Sequence, residues 1–300
     1  MYIVTGATGN TGSVVASQLL AKGQKVRVIG RSAERLQPLA AKGAEPFIAD
    51  ASDAAALVKA FSGAQGVYVV VPPNLKSNDF RAEQGRISDA FAQALARAGV
   101  KRAVTLSSIG ADKPAGTGPI AGLHELEEKL NRIAGLNVLH LRAAYFMENT
   151  LAQAGIIHAL GKTAGPLRPD VKVPMIATHD IGLAAAQALL SPDFHGHETR
   201  ELLGPRDLDY NDVTAIIGKA IEKPDLSYVQ LPDEQLRPAL QQLGLSANVT
   251  GLLLEMAAAI NSGHVRALEP RSARNTTPAT YEKFVAETLV PVYKGQIRAA

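Results

Sequence analysis

The sequence predicts an α/β fold: a Rossmann-type, doubly wound parallel sheet with a smaller, mostly helical C-terminal lobe. Three observations predict it. Apolar, strand-like runs alternate with amphipathic helical stretches through the first half of the chain, a glycine triplet follows the first run, and the alternation fades beyond Tyr145. Strands and helices in alternation mark a parallel sheet covered on both faces.

Tyr2 to Thr5 reads as a short strand, and Thr11 to Lys22 as a helix turning Val14, Val15, Leu19 and Leu20 inward, with Gly23 as its stop. "KVRVI" (25–29) is a second strand, followed by a helix from Ser32 to Lys42. "EPFIAD" (45–50) is a third strand, and "DAAALVKAFSG" a helix ending at Gly63. "GVYVVVP" is almost wholly apolar, as a strand buried on both faces should be. A helix from Asp79 to Ala98, the strand "KRAVTLSS", a Gly/Pro-rich loop from Ile109 to Pro119, the helix "LHELEEKLNRI" and the strand "NVLHLRAAYF" follow. Together these make six strands with helical crossovers, the pattern of two mononucleotide-binding halves.

After Tyr145, "DIGLAAAQALL" reads as a helix, "RELLG" as a strand, and three further helical stretches follow Tyr210. The chain therefore divides into a dinucleotide-binding domain over 1–145, to which a segment of about 171–204 returns, and a lobe over 146–170 and 205–300. Ligands of such sheets bind beyond the carboxyl ends of the strands, where a lobe would wall off a substrate.

Composition removes several function classes. The 300 residues carry 31 basic and 28 acidic side chains, a net +3, and the nearest approach to a basic cluster is Arg266, Arg271 and Arg274, read as a solvated loop. Nucleic-acid backbones demand many coordinated cations, so no nucleic-acid partner is expected. The absence of cysteine removes disulfides, thiolate catalysis and thiolate-held metals. "HGH" (His195, His197) has no third ligand at useful spacing, so no metal site is expected, and His140 should be packed within its strand. The run "TGLLLEMAAAI" carries Glu255 and falls short of the ~20 residues that cross a bilayer. With a strand pattern from the first residues and no stretch left for a secretion leader, a cytoplasmic protein is expected.

The opening "VTGATGNTGS" carries the first functional signal. Gly6 permits a sharp exit from the strand, Gly9 lets backbone approach a pyrophosphate, and Gly12 lets helix and sheet pack closely. The following helix presents unpaired N–H groups and a partial positive charge, and Thr8, Asn10 and Thr11 can add side-chain hydrogen bonds. The end of the second strand selects the cofactor. An NAD enzyme places Asp or Glu there for the ribose 2′-hydroxyl, whereas this chain reads Gly30, Arg31, Ser32. A guanidinium–phosphate hydrogen bond is worth about 1.5 to 3 kcal/mol, roughly ten- to hundredfold in affinity, so Arg31 points to NADPH. Asp50 is placed to meet the adenine amine or to cap the Ser52–Asp53 turn, and Val71–Pro72 closes the fourth strand beside the ribose and nicotinamide.

"TGATGNTG", "RVIGRS", "VVVPP", "AVTLSSIGA" and "LRAAYFMEN", with "PMIATHDIGLAAAQAL" and "RNTTPATYEKF" further on, resemble the NmrA-like branch of the atypical short-chain dehydrogenase/reductase family over nearly the whole chain. The resemblance implies either an NADPH-dependent quinone reductase or an NADP(H)-binding regulator without turnover. Arg142–Ala143 stands where the family usually has Arg–Pro, and Ala144 where glycine is frequent, which alters the wall expected beside the nicotinamide.

A reductase of the wider superfamily uses Tyr with Lys four residues later, and none of the seven tyrosines here has Lys at that spacing. The helix that would carry the pair has His124 and Glu128, one turn apart, so that Glu128 would orient His124 as a proton donor or a contact to the nicotinamide ribose. Ser107 or Ser108, ending the fifth strand, would bond the nicotinamide amide or the substrate. Losing a positioned proton relay costs about 10²- to 10⁴-fold. An isolated ketone hardly tolerates that, whereas a quinone does, because its reduced oxygen is a stable phenolate. Tyr145, Phe146 and Met147 would either form the apolar shelf for such an acceptor, with Tyr145 also touching the cofactor, or pack into the core. The expected activity is hydride transfer from NADPH to a quinone-like small molecule; the alternative is an NADP(H)-sensing regulator that binds a protein partner.

Overall fold

The computed structural model describes residues 1–297. Six strands follow in the expected order, β1 (Tyr2–Val4), β2 (Val26–Gly30), β3 (Glu45–Ile48), β4 (Gly66–Val69), β5 (Arg102–Ser108) and β6 (Asn137–Ala143). Three short strands, β7 (Tyr145–Phe146), β8 (Thr163–Gly165) and β9 (Val173–Ile176), precede a seventh sheet member, β10 (His197–Leu202). The sheet runs β10-β6-β5-β4-β1-β2-β3, and every neighbouring pair is parallel. The chain thus winds outward from β1 to β3, returns to β4 on the other side of β1, and leaves a crevice where the direction reverses.

Side chains alternate between two cores, as the pleat requires. Ile3, Val67 and Val69 face Leu57, Phe61, Phe91 and Leu126 from the helices α3 (Ala54–Phe61), α4 (Phe80–Arg97) and α5 (Ala121–Asn131). Tyr2, Val4 and Tyr68 face the other way, toward Val15 and Leu19 of α1 (Asn10–Ala21) and Ile181 and Ala185 of α7 (Thr178–Leu190). The two remaining early helices are α2 (Ala33–Ala40), capped by the Ser32 hydroxyl, and α6 (Ala152–Leu160), closed by left-handed Gly161.

Two departures from the sequence reading shape the site. The first three residues of "RELLG", expected as a strand of the returning segment, end β10, which joins the sheet beside β6 and raises its count from six to seven. The run "NVLHLRAAYF" is not one strand. The Ala144 N–H bonds the Leu202 carbonyl, the chain leaves the sheet, and Tyr145–Phe146 pairs instead with β9. That step carries both aromatic rings over the carboxyl ends of β4 to β6.

The later chain covers this end. A strand β11 (Asp207–Leu208) runs antiparallel to β9, and β12 (Tyr228–Gln230) pairs with β8. Helices α8 (Tyr210–Ala220), α9 (Asp233–Gln242) and α10 (Ala247–Asn261) follow. The α10 start is tied to the loop after β4: Ser246 N–H donates to the Leu75 carbonyl at 3.0 Å, and Asn248 Oδ1 accepts the Phe80 N–H at 2.9 Å.

Candidate active site

The turn after β1 sits in the crevice between β1 and β4. Gly6 has φ +57°, and a Cβ there would overlap the Val70 side chain. A Cβ at Gly12 would overlap the Gly6 carbonyl, and one at Gly9 would stand 3.3 Å from that same oxygen. Gly9 and Gly12 therefore let the loop fold tightly onto itself, and Gly6 lets it lie against Val70. Thr5 fastens it, donating its hydroxyl hydrogen to the Tyr68 carbonyl at 3.1 Å and accepting the Val70 N–H at 3.0 Å. Helix α1 begins at Asn10 with no side-chain cap and no acidic residue in its first turn, so its leading N–H groups are open to an anion. Thr11 contributes only backbone to that face, because its hydroxyl is buried and accepts from the Tyr68 phenol at 2.9 Å. Asn10 stands exposed at the same end.

A groove of about 160 Å³ runs from this turn across the ends of β2 and β3. Gly6, Thr8, Arg31, Asp50 and Pro72 all line it, and so do Ser32 and Arg35, which sequence reasoning passed over. Arg35 lies one turn into α2 and adds a second guanidinium beside Arg31. Asp50 accepts both the backbone N–H and the hydroxyl of Ser52 through Oδ1, at 2.9 and 2.7 Å, leaving Oδ2 for a ligand. Those two bonds hold its carboxyl below the usual range, against the opposing effect of partial burial and helped by nearby Arg31.

The groove meets a second cavity of about 490 Å³, and the two share Val70 and Pro73. This second cavity is mostly apolar, with Val71, Ser107, Ser108, Ala144, Tyr145 and Phe146 among its lining, and Met256 and Ile260 of α10 over it. Met147 is not part of that wall; it is 1% exposed and packs in the core. Tyr145 places its hydroxyl 3.2 Å from that of Tyr210, the first residue of α8. Burial pushes the Tyr145 phenol up, partly offset by hydrogen bonds from Tyr210 and Asn149.

Both serines that end β5 have committed protons. Ser108 donates to the Ile109 carbonyl at 2.9 Å, and Ser107 donates to Glu127 Oε1 at 2.5 Å. Glu127 is 3% exposed and held from below by Arg142, whose Nε and Nη2 reach its two oxygens at 3.0 and 2.5 Å. Toward the cavity, Ser107 can therefore act only as an acceptor. His124 lies outside the cavity lining, and its Nδ1 donates to the Ala111 carbonyl at 2.9 Å. Glu128 turns to Arg132, at 3.4 Å, rather than to His124. The carboxylate tied to the cavity wall is Glu127, one residue along. The helical phase of α5 turns 127 inward with Leu126 and Leu130 and leaves 128 exposed. His140 is buried as expected, between Thr105 and Asn131 at 2.7 and 3.0 Å.

The NmrA-like family model matches residues 2–285. The chain belongs to the NmrA-like family. Among curated relatives, a (4-alkanoyl-5-oxo-2,5-dihydrofuran-3-yl)methyl phosphate reductase of Streptomyces griseus is 31% identical over 242 residues, 80% of each protein. Quinone oxidoreductase 2 of Escherichia coli is 29% identical over 258 residues, 85% of this chain and 86% of its own. Among solved structures, an E. coli NADPH-dependent quinone oxidoreductase complexed with NADPH superposes with TM-score 0.77 at 25% identity, covering 95% of this chain and 99% of its own. The Citrobacter triphenylmethane reductase complexed with NADP(H), TM-score 0.76 at 19% identity over 96% and 99%, shares the fold.

Proposed function

We propose that this protein is an NADPH-dependent oxidoreductase that delivers hydride to a quinone or a similarly conjugated carbonyl acceptor. The observation that carries the reading is the junction at Val70–Pro73, where a groove shaped for a dinucleotide opens into an apolar cavity. The glycine cradle and the uncapped start of α1 fit a diphosphate, with Thr8 and Asn10 beside it. Arg31, Ser32 and Arg35 would hold a 2′-phosphate, and the free oxygen of Asp50 the adenine amine. Val71 and Pro72 lead toward the nicotinamide end, where Ser107 would accept from the carboxamide.

Bound at that junction, NADPH would supply a hydride. The chain's own contribution is to bind, orient and exclude water: Tyr145, Phe146 and the α10 side chains enclose the acceptor in an apolar chamber. No tyrosine has Lys at the dyad spacing, which favours acceptors whose reduced oxygen is already a stable anion. The names of the two curated relatives agree with that chemistry, since a quinone and an acyl-substituted oxo-dihydrofuran are both conjugated carbonyl systems. Steady-state NADPH consumption with quinones, an acylated dihydrofuranone and a saturated ketone of equal size tests the reading. Consumption with the conjugated acceptors and none with the saturated ketone is expected. Tight NADPH binding with no consumption by any of them would leave the NADP(H)-sensing reading in its place.

A further inference from the structure

The cavity wall has two hydroxyls whose protons are spent, on Ser107 and Ser108, and one whose proton is not. Tyr145 and Tyr210 share a single hydroxyl–hydroxyl contact of 3.2 Å, so one donates and the other accepts. Tyr210 is 4% exposed, and no described residue other than Tyr145 is hydrogen-bonded to its hydroxyl. Were Tyr145 the donor, the Tyr210 hydrogen would be buried without an acceptor, which proteins avoid. Tyr210 therefore donates. The Asn149 side chain also stands in the cavity wall near the Tyr145 hydroxyl and lowers its pKa. Tyr210 thus feeds the Tyr145 oxygen, and the Tyr145 hydrogen is left for whatever occupies the cavity.

We propose that Tyr145 is a catalytic residue that donates its phenolic hydrogen bond to the acceptor's carbonyl oxygen, and that Tyr210 is the positioning residue that polarises and aims it. This rests on the oxidoreductase reading above. When a conjugated carbonyl takes up the hydride, its π electron pair moves onto oxygen, and the resulting oxyanion later takes a proton from water to complete the reduction. A preorganised donor at that oxygen is worth most when the charge develops there. Tyr210 in turn strengthens Tyr145 as a donor, because hydrogen bonds in a chain polarise one another. Burial keeps both phenols protonated at neutral pH, so the donor is not lost to ionisation. The selected ligand class is an oxygen acceptor that becomes, or already is, an aryl oxyanion.

The test uses 4-nitrophenol, whose neutral and ionised forms absorb differently, bound to the full-length NADP⁺-loaded protein at a fixed pH near the probe's own pKa. Wild type should bind the phenolate in preference to the phenol. Tyr145→Phe should lower the bound phenolate-to-phenol ratio about ten- to hundredfold, and Tyr210→Phe by a smaller factor of about three to ten. Tyr281→Phe is the control: its buried hydroxyl donates to Thr150 at 2.9 Å, away from the cavity, and the ratio should not move. Wild type without phenolate preference, an unchanged ratio in Tyr145→Phe, or a Tyr210→Phe variant that behaves like Tyr281→Phe overturns the proposal. NADPH consumption by wild type with a quinone is measured alongside. Its absence overturns the oxidoreductase reading, whereas its presence with an unmoved ratio overturns only the role of Tyr145.

Discussion

Arg31 and Glu127 show how differently two charged residues declare themselves. Arg31 follows β2 directly, and its position relative to the glycine turn was enough to single it out; the structure sets it in the groove with Arg35 alongside. A ligand phosphate would meet both guanidinia, each able to form charge-assisted bonds. Arg31→Asp is expected to weaken NADPH binding by about ten- to hundredfold while leaving NADH binding little changed, measured by fluorescence titration of both nucleotides. Glu127 gave no such signal. Whether 127 or 128 faces inward depends on the rotation of α5 about its axis, and its partner Arg142 lies on a strand beyond the helix. Burial alone would depress the Arg142 pKa, but the bonds and charge of Glu127 outweigh it and hold the guanidinium firmly protonated. Glu127→Ala leaves that charge without its partner, and a loss of about 3–5 kcal/mol in urea unfolding is expected, with Glu128→Ala nearly neutral. The Tyr145–Tyr210 pair was equally invisible, because 65 residues separate its members.

Among the elements, the glycine turn with α1 was the most legible, since strand, turn and helix are contiguous in the chain. Gly12→Ala would drive a methyl into the Gly6 carbonyl, so the loop must shift. At least a tenfold loss of NADPH affinity is expected by titration, with the sheet retained by circular dichroism. The sheet edge was less legible. β10 reads "HETREL", a charged strand exposed only at His197 and Thr199 and buried at Glu201 and Leu202, and its place beside β6 is fixed by long-range pairing. Such polarity suits an edge, where an apolar strand would invite association. The break between β6 and β7 could not be seen at all, because the apolar run continues across it. His140 ties β5, β6 and the end of α5 through Thr105 and Asn131, and desolvation pushes its pKa down to about 4 from 6.5. A depressed folded pKa means that the unfolded chain binds the proton first. The stabilising contribution is whole above pH 6.5 and is lost as pH falls toward 4, on the order of 3 kcal/mol. Thermal unfolding followed across that window should show the loss in wild type and a much flatter profile in His140→Gln.

Across the whole molecule, the proposed function depends on two chambers meeting at one strand end. The loop after β4 borders both the groove and the cavity, and Ser246 and Asn248 fasten it to α10, which itself roofs the cavity through Met256 and Ile260. The parallel order of the first six strands followed from the alternating pattern, and the crevice followed from that order. The cavity did not, because its wall is assembled from the loop after β4, β5, β7, β9 and α10, segments that only the folded chain brings together. The central claim is that hydride passes at this junction from NADPH to a conjugated acceptor. Stopped-flow absorbance of the NADPH-loaded protein mixed with a naphthoquinone measures it directly. The account predicts acceptor-dependent loss of the reduced-nicotinamide band that slows when the transferred hydrogen is deuterium; a band that persists unchanged with every quinone, despite saturating NADPH, would contradict it.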